Sequence, residues 1–322
     1  MPLPCRVYSF PVIPFLHLGP VTLPTFGLMV ATAMACAYFV LRADILRRGI
    51  APDNAAAAAT AEAFIAFPCL AGIAGAKLYH ELQTPREFLA HPLQHMLSQY
   101  GFAWFGGLLA GFAAYAWLAW MRRIPLLEML DAGSPAAALG YGIGRIGCFL
   151  SGDGDYGIST SLPWGMSFPN GLVPTTDRVH PTPLYELIVA CAIAWWLWRL
   201  GARQIGARSS SSAKPDTKAR ATAGTAANTA LQTSAPLFAG LSAPRAAPRG
   251  AVFAAYLILT GAARFLVEFI RINPRSFWGM SNAQAAGLFS AIVGITLWWY
   301  LRKRAIAESA EPAPATAQRT RK

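Results

Sequence analysis

Residues 140–157 read GYGIGRIGCFLSGDGDYG, an apolar run studded with glycine that carries one arginine, Arg145, and ends in two aspartates, Asp153 and Asp155. Gly140, Gly144 and Gly147 lay a nearly bare strip along a helix, so a neighbouring helix or a lipid headgroup can approach the backbone closely. An arginine within such a run is costly in lipid and normally faces a polar cavity or a partner. Its planar fork of donors matches the oxygens of a phosphodiester. The stretch therefore reads as a membrane helix with an anion-binding face. Arg145 is the candidate anion holder, and Gly144 and Gly147 are candidate positions of ligand approach.

The rest of the chain fits a membrane setting. Of 322 residues, 55% are hydrophobic and 13% charged, about half the charged share of a soluble domain. A bilayer core about 30 Å thick needs about 20 apolar residues of helix. Segments of about that length fall near 21–41, 61–82, 100–121, 132–151, 183–199, 250–270 and 283–301. The expected fold class is an all-α polytopic membrane protein of about seven transmembrane helices. Of the 27 Lys and Arg residues, 19 fall on one side of this arrangement and 5 on the other, with Lys77, Arg145 and Arg264 inside spans. That bias puts the N-terminus outside and the C-terminus in the cytoplasm.

Spans one to five then occupy 1–201, with an ordered outer loop at 151–182, and spans six and seven occupy 250–304. The Ala-, Ser-, Thr- and Pro-rich stretch 202–249 reads as a disordered cytoplasmic linker, and 305–322 as a disordered cytoplasmic tail. The basic residues sit between apolar blocks, so the formal charge of +12 is not the patch of a nucleic-acid binder. Cys5, Cys36, Cys69, Cys148 and Cys191 show no CxxC spacing, which implies neither a disulfide framework nor a zinc site. Prolines at 11, 14, 20 and 24 interrupt the N-terminal apolar run, so no cleaved signal peptide is expected. No internal repeat supports an inverted-repeat transporter.

Three further constellations carry chemistry. In GAARFLVEFIR, Arg264, Glu268 and Arg271 follow at i, i+4 and i+7, so all three point to one helix face. Glu268 would orient an arginine, Arg264 would be available to an anionic ligand, and one acid between two bases leaves a positive surplus. In HPTPLYE, residues 180–186, the prolines favour an extended entry and first turn, holding His180 at the mouth of the fifth span as a titratable group able to act as a base. Tyr185 and Glu186, one turn inside, read as positioning residues. Gly106 and Gly107, after Phe105, offer a second bare backbone patch, and Lys77 with His80 closes the second span. Asp153 and Asp155 resemble part of a calcium loop, but the final glutamate of that pattern is missing, so no metal is expected.

Taken in order, LGPVTLPTFGLM, GAKLY, FGGLLAG, GRIGCFLSGDGDYG, HPTPLYE and ARFLVEFIR resemble the bacterial prolipoprotein diacylglyceryl transferase family over about 15–300 apart from the linker. The resemblance implies a multi-pass protein of the bacterial inner membrane that moves the diacylglyceryl group of phosphatidylglycerol onto the lipobox cysteine of a prolipoprotein signal peptide. Glycerol phosphate is released, and no cofactor is used. Arg145, Arg264 and His180 would be catalytic. Gly144, Gly147, Gly106, Gly107, Glu268, Arg271, Tyr185 and Glu186 would bind substrate. The chain departs from the family pattern at Phe26, Phe105, Cys148 and Thr260, where a tyrosine, a histidine, an asparagine and a tyrosine are usual. Phe105 cannot be a base, so His180, His80 or Asp153 would have to replace the missing histidine. Two other readings fit the same residues: a non-catalytic phospholipid-binding membrane protein, and a transferase variant with a different acceptor.

Overall fold

Long apolar stretches become long helices, and the glycine- and proline-rich connections between them become short strands. The computed structural model describes residues 8–9, 12–83, 85–90, 92–98, 101–212 and 247–310. Among these, the helices are α1 (Thr25–Arg47), α2 (Asn54–Gln83), α3 (Pro85–Ala90), α4 (Pro92–Leu97), α5 (Trp104–Met121), α6 (Leu126–Ser151), α7 (Thr182–Ser212), α8 (Ala251–Val267) and α9 (Asn282–Ala310). The strands are β1 (Tyr8–Ser9), β2 (Phe15–Leu18), β3 (Val21–Pro24), β4 (Met166–Phe168), β5 (Thr175–Val179), β6 (Arg275–Phe277) and β7 (Met280–Ser281).

Among the described residues, five helical segments are long and apolar enough to cross a membrane: α1, α2, α5, Thr182–Gly206 of α7 and Asn282–Ala307 of α9. The protein is thus a helical, polytopic membrane protein. Two long helices are less plain. The 26-residue α6 carries Glu128, Asp131 and Arg145, and α8 is apolar but has only 17 residues. Large apolar side chains such as Leu70, Trp120, Ile188 and Phe289 face outward, as a lipid-facing surface requires.

Several expected boundaries move. Residues 21–24 are strand β3, paired with β2, and not the start of a span. Helix α7 runs to Ser212 and α9 to Ala310, past the expected starts of the linker at 202 and the tail at 305. The remainder of those two segments, 213–246 and 311–322, lies outside the described residues. Short strands also qualify the all-α expectation. The largest sheet is built on the α6–α7 connection, where β4 pairs antiparallel with β5 and parallel with β1; β2–β3 and β6–β7 form two separate hairpins. Phe149, Tyr156, Phe168 and Val179 form a small core there, with the Tyr156 and Phe168 rings stacked at 4.4 Å.

The helices pack as neighbours: α1 on α6, α2 on α5, α6 on α7 and α8 on α9. Close approach at the α2–α5 crossing depends on glycine. A Cβ on Gly75 would lie 2.7 Å from the Gly106 carbonyl oxygen and 2.2 Å from the Ala110 Cβ. Gly75→Val should therefore force the two helices apart and cost about 1–3 kcal/mol. The check is thermal unfolding in detergent, with Gly144→Ala as the control. Nothing lies within 4 Å of a Cβ built at Gly144, so that control should unfold like the parent protein.

At the end of the molecule away from the α6–α7 connection, Asp131 is fully buried. It accepts the backbone N–H groups of Gly250 and Phe253, each at 2.8 Å, and the Gln204 amide at 3.0 Å. This carboxylate ties the start of α8 to α6 and α7, and so fixes how the far end of α8 meets α6 and α7.

Candidate active site

The site is built where α6 ends, α7 begins and α8 ends. Gly152, at φ 59°, caps α6 in the left-handed region that favours glycine and turns the chain across the two other helix ends. The crossing segment is held by backbone bonds on both sides: Gly157 N–H donates to the His180 carbonyl at 2.9 Å and Ile158 N–H to the Ile270 carbonyl at 2.7 Å. The Thr182 hydroxyl donates to the Asp155 carbonyl. Threaded in this way, the loop brings Asp155 against Arg145 of α6 and Arg271 just past the end of α8.

Glu186, 6% exposed, is the centre of the cluster. Its carboxylate meets Arg145 Nε at 3.2 Å, Arg264 Nη1 at 2.8 Å and Arg271 Nη1 at 3.3 Å, and accepts the Tyr141 hydroxyl at 2.8 Å. Glu268 meets Arg264 Nη2 at 3.3 Å and Arg271 Nε at 3.7 Å, and accepts the Ser281 hydroxyl at 2.9 Å and the Asn273 amide. Asp155 bridges Arg145 and Arg271. The Arg145 guanidinium also lies over the Tyr141 ring, 4.9 Å from its centroid.

Arg264, Glu268 and Arg271 do come together, but not along one helix face: α8 ends at Val267, Glu268 caps it, and Arg271 lies beyond it in a bridge to Gly157; the expected positive surplus is absent too. Glu186 and Asp155 join Glu268 to balance three arginines with three carboxylates. Burial alone would raise the Asp155 carboxyl, yet the Arg271 and Arg145 guanidiniums outweigh it and hold it below the usual carboxylate value. Burial pushes Asp153, next to it in the loop, above that value.

The structure brings Arg145, Arg264, Arg271, Glu186 and Glu268 together and leaves other expected site residues apart. His180 Nδ1 lies 3.2 Å from the Tyr185 hydroxyl, which accepts Trp164 Nε1–H at 2.7 Å. This trio touches none of the three arginines by hydrogen bond or ion pair. Gly106 and Gly107 face the backbone of α2 at Gly75 and Gly72, where they serve helix packing and not ligand approach. Gly147 faces Phe26 and Met29 of α1, whereas Gly144 is open. Lys77 pairs with Glu81 at 3.3 Å and donates to the Ser98 hydroxyl at 2.8 Å, in a separate group at the end of α2. The His80 ring packs against Gly101.

At the positions that depart from the family pattern, Phe105 is 54% exposed, and the Thr260 hydroxyl donates to the Tyr256 carbonyl of its own helix at 2.6 Å. Arg145 Nη1 lies 3.6 Å from Cys148 Sγ. One donor atom each from Cys148, Asp153 and Asp155 falls within 4.8 Å of the others, a spacing that a metal ion would use. Arg145 already contacts both Cys148 and Asp155, so a guanidinium stands where a cation would sit.

Sequence reading assigned no role to Tyr141, although it precedes Arg145 by four residues, the helical spacing that puts a ring beneath a guanidinium. It treated Asp155 only as part of an incomplete calcium loop. No local signal marks Asp155 as an arginine partner, because the pairing with Arg271 spans 116 residues of chain.

The family model for prolipoprotein diacylglyceryl transferase matches residues 13–214 and 230–300. A phosphatidylglycerol–prolipoprotein diacylglyceryl transferase of Clostridium tetani is 28% identical over 273 residues, 84% of this chain and 90% of that protein. Proteins of the same name from Cupriavidus pinatubonensis and a Nostoc species are 28% and 24% identical, over 94% and 97% of this chain and 95% and 98% of their own lengths. With the match running through both halves of the arginine cluster, the chain belongs to the prolipoprotein diacylglyceryl transferase family.

Proposed function

We propose that this protein is a phosphatidylglycerol-dependent transferase of lipoprotein biosynthesis, carrying the diacylglyceryl group to the lipobox cysteine thiol of a prolipoprotein signal peptide. The observation that carries the reading is the cluster of Arg145, Arg264 and Arg271 around Glu186, reached from an open face at Gly144. The thiol sulfur attacks the glyceryl carbon next to the phosphate. A C–S bond forms, the C–O bond to phosphate breaks, and glycerol phosphate leaves with the electron pair and an added negative charge. Arg145 and Arg264 are aimed at that growing charge, which a low-dielectric site stabilises most when the donors are already in place. Gly144 leaves room for the headgroup beside Arg145.

Charge accounting says how the phosphodiester enters. The cluster is balanced before the lipid arrives, so an incoming anion favours release of one internal carboxylate. Asp155 is the natural one to yield, since its side chain is 29% exposed against 4% for Glu186 and 1% for Glu268. Asp155→Asn removes the competing anion and should lower KM for phosphatidylglycerol severalfold with little change in kcat. An unchanged or higher KM would make Asp155 a loop anchor and not the phosphate's competitor.

In this reading α6 and α8 also cross the membrane, giving seven spans, with the N-terminus outside, the C-terminus cytoplasmic and the arginine cluster near the outer headgroup layer of the inner membrane. The 19-to-5 bias of basic residues supports the orientation. The direct test uses purified protein in detergent with phosphatidylglycerol and a lipobox peptide. The peptide should gain one diacylglyceryl mass and lose its alkylatable thiol. An unmodified peptide, from protein that still binds the phospholipid, would instead favour a lipid-binding role.

A further inference from the structure

The cluster contains a fourth acid that no arginine among the described residues pairs with. Asp155, Glu186 and Glu268 are each gripped by at least two guanidiniums. Asp153 forms no ion pair among the described residues. Its carboxylate accepts the Asp155 backbone N–H at 3.2 Å, and one of its oxygens lies within 4.8 Å of Cys148 Sγ. It is half-buried and so still reachable, two residues from the arginine-held Asp155. A carboxylate clamped between arginines is a poor proton acceptor, because giving up its negative charge breaks both ion pairs. One that accepts a backbone amide and is clamped by no guanidinium keeps its basicity.

The same comparison sets the other titratable groups aside. His180 pairs with Tyr185 and, among the described residues, makes no hydrogen bond or ion pair with the three arginines. His80 packs on Gly101 at the far side of α2. Phe105 carries no proton acceptor at all.

We propose that Asp153 takes the proton from the attacking cysteine thiol. The inference rests on the transferase reading above. The S–H bond breaks toward a carboxylate oxygen of Asp153 as sulfur bonds to the glyceryl carbon, and the C–O electrons leave on the phosphate. The carboxylic acid then returns its proton to water or to the departing glycerol phosphate. Asp153 and Asp155 thus divide the work within one GDGD turn: the arginine-held acid keeps the phosphate site closed until lipid enters, and its unpaired neighbour serves the thiol. Burial acting on Asp153 and the two guanidiniums acting on Asp155 separate their basicities in the sense this division needs. The charged and titratable groups facing Asp153 are Arg145 and Cys148 of α6 and Asp155 and Tyr156 of its own loop.

The test compares the wild type with Asp153→Asn and Asp153→Glu by initial rates of peptide lipidation from pH 6 to 9, with phosphatidylglycerol binding measured separately. Asp153→Asn should lower kcat about 100-fold at pH 7 and leave lipid binding intact. Because a free thiol ionises near pH 8.5, the deficit should narrow to a few-fold by about pH 9. Asp153→Glu should recover part of the rate. A selenocysteine acceptor peptide, already ionised at neutral pH, should be handled by Asp153→Asn nearly as well as by the wild type. A deficit independent of pH and of acceptor, a loss of lipid binding, or an unimpaired Asp153→Asn would each overturn the role of Asp153. A wild type that lipidates no peptide would instead sink the transferase reading itself.

Discussion

Arg145→Ala is expected to lower transfer by about 1,000-fold or more, the scale on which a single pre-placed donor to a developing charge matters. The protein should still fold and insert. With Arg145 gone, Asp155 keeps Arg271, and Glu186 keeps Arg264 and Arg271, so no carboxylate of the cluster is stranded. Removing a charge at this depth also lowers the cost of insertion. Arg145→Lys should recover little. A point ammonium cannot hold Asp155 with one nitrogen and Glu186 with another as the guanidinium does, nor stack on Tyr141 in the same way. The measurement is the initial rate of transfer beside a thermal unfolding curve. An active, folded Arg145→Ala would remove Arg145 from the mechanism.

Glu186→Ala should act on the fold and the chemistry together. It strands Arg145 Nε, Arg264 Nη1, Arg271 Nη1 and the Tyr141 hydroxyl around an empty space. Removing one partner from a buried charge network costs about 3–5 kcal/mol, because the remaining charges lose their compensation. Thermal unfolding should therefore drop markedly and transfer should vanish. Glu186→Gln keeps the shape and loses the charge, so it should unfold between the two and still transfer poorly, with three guanidiniums now facing two carboxylates. If Glu186→Ala unfolded like the wild type, Glu186 would not be the node that holds the arginines in place.

Much of this arrangement was written locally, and the rest was not. The i, i+4, i+7 spacing of Arg264, Glu268 and Arg271 predicted one helix face; the three do meet, but α8 stops at Val267 and Arg271 is placed by its bridge to Gly157. Arg145 within a glycine-rich apolar run announced a polar partner. What spacing cannot give is the partner across the fold. Glu186 read as a positioning residue because its three arginines come from segments 41 residues before it and 78 and 85 residues after it. Gly106 and Gly107 read as a lipid contact because a glycine facing another helix looks the same in sequence as one facing a ligand. His180 read as a base from its place at a helix mouth, but its ring turns to Tyr185. Hydropathy was sound for α1, α2 and α5. It was least clear for α6 and α8, where the charges and the short length that blur the signal belong to the helices that build the site.

The most direct test of the central claim follows both products in one reaction, with wild-type protein, phosphatidylglycerol and a lipobox peptide. One glycerol phosphate should appear for each peptide that gains a diacylglyceryl group, and both signals should disappear together in Arg145→Ala. Glycerol phosphate released without peptide modification, or peptide modified at an equal rate by Arg145→Ala, would contradict the assignment of the arginine cluster as the phosphate site of a diacylglyceryl transferase.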